Sequence, residues 1–97
     1  MSRREYLVKL NVNGRDLQKV VIDPHYEEKH ADSVTDETIL ALVNQLDGKT
    51  FGPIDKDENG YLYFVNDHME QDGLFYKLIW LLHDNEIFVG IVNAYRR

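Results

Sequence analysis

The chain has 97 residues, with 11 Lys plus Arg against 17 Asp plus Glu, 4 His, no Cys and a formal charge of -6. This length fits a single domain over 1–97, and its 43% hydrophobic content can fill one core. Without Cys there is no disulfide framework, thiolate zinc site or Cys nucleophile. No run nears the ~20 apolar residues of a membrane span, and no apolar stretch follows the basic start, so a cytoplasmic protein without a membrane partner is expected. The acidic balance argues against generic coating of nucleic acid, which needs clustered Lys and Arg, so any such role must be local.

Tyr6, Val8 and Leu10 alternate with Leu7, Lys9 and Asn11, the period of a strand. Asn13-Gly14 then supplies a tight turn and Leu17 to Ile22 a second strand, so 6–22 reads as a hairpin. Asp23-Pro24 ends it, because Pro has no ladder N–H. The polar His25-Tyr26-Glu27-Glu28-Lys29-His30 follows, with the composition of one helical turn. Ser33 to Glu37 carries hydroxyls and acids suited to a helix start, and Ile39, Leu40, Leu42, Val43 and Leu46 share one helical face before Gly48. This predicts one amphipathic helix near 35–47.

Beyond it, Thr50 to Ile54 reads as a short strand interrupted by Gly52-Pro53, Asp57 to Gly60 as a turn, and Tyr61 to Val65 as a strand. Asn66 to Gly73 reads as a polar loop, Leu74 to Leu82 as a central strand and Ile87 to Tyr95 as the last strand. The expectation is an α+β fold of order β-β-α-β-β-β-β, an antiparallel sheet of meanders with the helix packed across it. A two-residue loop at Asp84-Asn85 would set Leu81 opposite Phe88, Tyr76 opposite Asn93 and Leu74 opposite Tyr95. Tyr76, Lys77, Asn93, Tyr95, Arg96 and Arg97 would then gather at the polar far end of the sheet.

That end combines a phenol with two guanidiniums, whose planar donor forks suit phosphate or carboxylate. The bland readings are an amphipathic sheet rim and a solvated chain terminus. His25 and His30 bracket two carboxylates and Lys29, a composition able to move protons near neutral pH. Their i, i+5 spacing does not align them on one helical face and is not the His-Glu-x-x-His of a zinc site, so no metal is assigned there. Asp55 to Gly60 matches the first half of a calcium loop, but Asn66 stands where the bidentate Glu belongs, and an Asn-Gly turn explains the same letters.

Lys29-His30 ahead of the single long helix, the order of elements, and the closing Ile87-Phe88-Val89-Gly90-Ile91-Val92-Asn93-Ala94-Tyr95-Arg96 resemble small bacterial toxin-like domains over 20–97. These are the barnase/EndoU/colicin/RelE-type ribonuclease folds, BrnT-like families among them. The resemblance implies RNA cleavage without metal or cofactor and an antitoxin-type protein as partner. His30 would be general acid or base with Lys29 nearby, Arg96 and Arg97 would hold the phosphate, and Tyr95 would orient it or stack on a base. His25, Lys77 and Asn93 would be auxiliary, and His30 and the Tyr95-Arg96 end would face one cleft. Toxins of this type are usually strongly basic, whereas this chain carries -6, so a basic pocket would be small. The alternative is a non-catalytic interaction module using sheet edges or Tyr61, Tyr63 and Tyr76. A third reading, an acidic mimic, has only the charge in its favour.

Overall fold

A computed structural model of the chain describes residues 3–22 and 34–97. The first hairpin forms where the alternation placed it, as β1 (Arg4–Val12) and β2 (Arg15–Ile22). Asn13 and Gly14 both take positive φ, 56° and 75°, giving a type I′ turn whose twist matches the strands. Helix α1 (Asp36–Asn44) starts at Thr35, whose hydroxyl accepts from the Thr38 N–H. It is shorter than the 35–47 of the periodicity, because the chain from Gln45 to Gly48 closes in turns. β3 (Asp55–Lys56), β4 (Tyr61–Gln71), β5 (Leu74–His83) and β6 (Phe88–Arg96) complete the fold.

Among the described residues six strands form one sheet in the order β1-β2-β6-β5-β4-β3, with α1 on one face. The α+β class therefore stands, but the sheet is mixed. β2 and β6 are parallel neighbours, Lys19 beside Phe88 and Ile22 beside Ile91, against the expected all-antiparallel sheet. The reason is the path of the helix. Its start is fastened to the beginning of β1, where Asp36 accepts from Arg4 and from the Tyr6 hydroxyl, and its end delivers Gly48 to Asn11 at the opposite end of β1. The chain then passes Asn13, which bonds Lys49 and Phe51, and β3 points towards the Asn13-Gly14 end, so β4 and β6 both start at that end and run the same way as β2. The Asp36 carboxylate also raises the Tyr6 pKa, first through that hydrogen bond and then with burial, because a phenolate there would face a negative charge.

Three further expectations are corrected. Asn66 to Gly73 is not a loop, since β4 continues to Gln71 and turns at Asp72-Gly73, again with two positive φ values, 54° and 81°. A bulge sets Asp67 and His68 together opposite Lys77, which breaks the alternation that would have revealed the strand. The strand expected at Thr50 to Ile54 lies instead at Asp55–Lys56, since Pro53 has no N–H and pairing with β4 starts at the Ile54 N–H. In the last hairpin the turn is wider than two residues, with β6 starting only at Phe88 and Val92 bulged out. The facing pairs become Tyr76 with Arg96, Lys77 with Tyr95, Ile79 with Asn93 and Leu81 with Gly90. Ala94 consequently turns to the helix side and is buried, while Asn93 and Tyr95 turn to the other face.

The core lies between sheet and helix, where Ile39, Leu42, Val43 and Leu46 meet Leu10, Leu17, Val20, Leu78, Trp80 and Val89. Trp80 sits at its centre, stacked on Phe64 at 4.1 Å between ring centroids and met edge-on by Phe51 at 5.5 Å. Its indole N–H donates to Asn66 Oδ1 at 2.8 Å, so the one polar atom of this buried ring is satisfied. Among the described residues no helix is long and apolar enough to cross a membrane. Leu78→Ala, in the sealed core, is expected to cost about 2–5 kcal/mol in urea unfolding, whereas Ile54→Ala, at a side chain 67% exposed, should stay within about 0.5 kcal/mol.

Candidate functional site

The face of the sheet away from α1 carries the polar chemistry. At its C-terminal end the β5–β6 pairing brings Lys77 and Tyr95 side by side, with the Lys77 ammonium 5.7 Å from the Tyr95 ring centroid. The Arg97 N–H donates to the Phe75 carbonyl at 2.8 Å, carrying the pairing one residue past β6. Its guanidinium lies 3.4 Å from Asp67, and the same carboxylate is 3.8 Å from Lys77 Nζ. The β4 bulge is what presents Asp67 to both cations.

The structure thus separates the two terminal arginines. Arg96 lies opposite Tyr76, which is buried on the helix side, so its side chain leaves from the other face of the sheet. Tyr95, Arg97 and Lys77 form one group. Asn93 lies on their face, but its Oδ1 accepts from the Ala94 N–H at 2.9 Å, next to the Val92 bulge. Tyr76 is likewise removed from the surface set of the interaction-module reading, whereas Tyr61 and Tyr63 remain half-exposed. His25, Lys29 and His30 lie outside the described residues, and with His30 so does one side of the cleft it was expected to share with the Tyr95-Arg96 end. Asp67 was missed in sequence because its position read as loop.

Further along the same face is a pocket of about 380 Å³ whose lining includes Val21, Tyr61, Tyr63, Leu81, Phe88 and Val92, with two charged groups, Arg3 and Asp57. Gly90 makes it possible. A Cβ at this position would stand 2.7 Å from Leu81 Cδ1, so the missing side chain lets Leu81 lie across β6. A glycine inside an otherwise β-branched strand is the sequence signal for such close approach.

Asp57 belongs to the frame of this pocket. Its Oδ1 accepts from the Asn59 and Tyr61 N–H groups at 2.9 and 3.0 Å, and its Oδ2 from the Tyr63 hydroxyl at 3.1 Å. The half-motif that resembles a calcium loop is thus a turn closed by its own carboxylate. Partial burial pushes the Asp57 carboxyl up, but those three hydrogen bonds and the nearby His83 outweigh it and hold the pKa below the usual value. The Tyr63 phenol is raised by the same hydrogen bond first, then by burial and the Asp57 charge. Among the described residues no group of three His, Asp or Glu side chains converges as metal ligands would. No family model, curated protein or solved structure matches this chain, so its chemistry is argued from these residues.

Since the folded pKa of Asp57 lies below its unfolded value of about 3.9, its stabilising contribution is complete above that pH and is lost as pH falls through the folded value. Asp57→Asn keeps an oxygen for the turn and abolishes the titration. Its urea midpoint should therefore fall less steeply than that of the wild type below about pH 4.

Proposed function

We propose that the chain is a toxin-like domain that cleaves RNA without a metal, in the cytoplasm, with an antitoxin-type protein as its partner. In this reading His30 is the general acid or base with Lys29 beside it, His25 is auxiliary, and Tyr95 and Arg97 with Lys77 hold the scissile phosphate. Arg96, on the far face, contributes to RNA approach. The observation that carries the reading is the parallel pairing of β2 with β6. It sends the end of β2, from which the chain continues to His25 and His30, towards the same edge of the sheet as Tyr95 and Arg97. Asp36, on the other side of that stretch, is bonded to Arg4, which pairs with Ile22 at this edge. An all-antiparallel sheet would have sent β2 and β6 to opposite edges.

Asp67 supplies restraint. It neutralises the two cations of the phosphate site in the free protein, which suits a chain of net charge -6 acting on one phosphate and not coating a polyanion. The same partial neutralisation, with the apolar pocket beside it, favours the second reading, a non-catalytic interaction module that uses Tyr61 and Tyr63.

Purified protein incubated with total RNA in EDTA should cleave it, and His30→Ala should slow cleavage by about 10²–10⁴-fold with the fold intact by circular dichroism. Induced expression should arrest growth for the wild type and not for His30→Ala. No cleavage and no arrest by folded wild type would leave the interaction module. A second expectation concerns Asp67. Asp67→Asn should tighten binding of a short RNA and steepen its salt dependence by up to about one unit for each cation released, read by fluorescence anisotropy.

A further inference from the structure

The two edges of the sheet are treated very differently. The β3 edge is two residues long, both charged, and follows a Pro, the usual devices against pairing with another chain. The β1 edge is nine residues long. Its last third is covered from within: the Asn11 N–H donates to the Asp47 carboxylate at 2.7 Å, the Asn11 carbonyl accepts from Gly48 at 2.6 Å, and Val12 bridges to Lys49. The window from Glu5 to Lys9 faces no other strand among the described residues. Leu7, at its centre, is 86% exposed, an apolar side chain on an edge strand where a charge is the common protection.

The window is also self-complementary. Glu5, Leu7 and Lys9 alternate onto the open face, with the acid and the base placed symmetrically about the leucine. In an antiparallel pair of identical strands centred on Leu7, each Glu5 faces a Lys9 and the two leucines face each other. On the helix side the same register sets Tyr6 against Val8, both already packed on the core. Any other centre would break either the charge match or the leucine contact.

From these observations we infer that two copies of the chain pair edge to edge through β1, antiparallel about Leu7, so that their sheets run on as one across a two-fold axis. The pairing buries Leu7, gives partners to edge N–H and C=O groups, and sets each Glu5, already 3.2 Å from Lys19 of its own chain, opposite the Lys9 of the other copy as well. The bulge that sets Val8 and Lys9 opposite Gln18 adds twist to β1 and confines the ladder to the residues around Leu7. The dimer is accordingly reversible and concentration-dependent. Its interface is remote from the Lys77, Tyr95 and Arg97 group, so it stands or falls independently of the ribonuclease reading.

Sedimentation of the full chain from micromolar to millimolar concentration tests this. The mass of the wild type should rise from 11.4 kDa towards twice that value. Leu7→Asp, at an exposed position, should keep its circular dichroism and thermal midpoint and remain a monomer throughout. Lys9→Glu and Glu5→Lys should each weaken self-association by tenfold or more, because like charges then face each other. An equimolar mixture of the two should associate again, since each Lys now meets a Glu across the pair. A wild type that stays monomeric overturns the proposal. So does a dimer indifferent to Leu7→Asp, or a mixture no better than its parts.

Discussion

The short parallel ladder between β2 and β6 holds this molecule together. Four residues of each strand, Lys19 to Ile22 and Phe88 to Ile91, join the N-terminal hairpin to the C-terminal meander. The joint is reinforced where β6 begins. The Gln18 N–H donates to the Ile87 carbonyl, and the Arg15 guanidinium donates to the carbonyls of His83 and Glu86, so one hairpin grips the turn of the other. Because β6 is thereby interior, the core can run unbroken from Leu10 on one side to Met69 on the other, under α1. The same ladder aligns the exits of β2 and β6, and the functional reading depends on that alignment.

The two faces of the sheet divide the work. The helix side is sealed by aliphatic residues and the Phe64–Trp80 stack. The other side keeps large side chains half-exposed over a pocket and places Lys77 and Arg97 at one carboxylate at its end, with Tyr95 beside Lys77. In the proposed reading, a phosphate arriving there would compete with Asp67 for the same two donors. Exposed ion pairs of this kind are individually weak, so a phosphodiester would displace the carboxylate without a large penalty. On that reading the acidic chain keeps a local anion site.

Much of this was legible from local patterns. The Asn13-Gly14 hairpin, the capped helix with its apolar face, the Asp57 turn and the strands at Tyr61, Leu74 and Phe88 all follow from alternation, helical spacing and turn chemistry, each acting within a few residues. The bulges were not legible. At Asp67-His68 and at Val92 one extra residue shifts every later side chain to the opposite face, and nothing in the alternation of a short strand announces it. For that reason Asp67 reads as loop from the residues alone, and the expected pairing of Tyr76 with Asn93 sets Tyr95 on the face opposite to the one it takes. The Asp72-Gly73 dipeptide was the available signal for the longer β4.

The residues alone therefore determined the first hairpin, the helix and the strands that start at Tyr61, Leu74 and Phe88, and that the chain is acidic without cysteine chemistry. The tertiary structure decided which strands are neighbours, that β2 and β6 run parallel, and that Arg97 but not Arg96 stands with Tyr95 and Lys77. The physical reason is range. Backbone preference and side-chain period act between residues a few positions apart. Strand neighbourhood is settled by burying one continuous apolar face, and β2 and β6 are more than sixty residues apart in the chain.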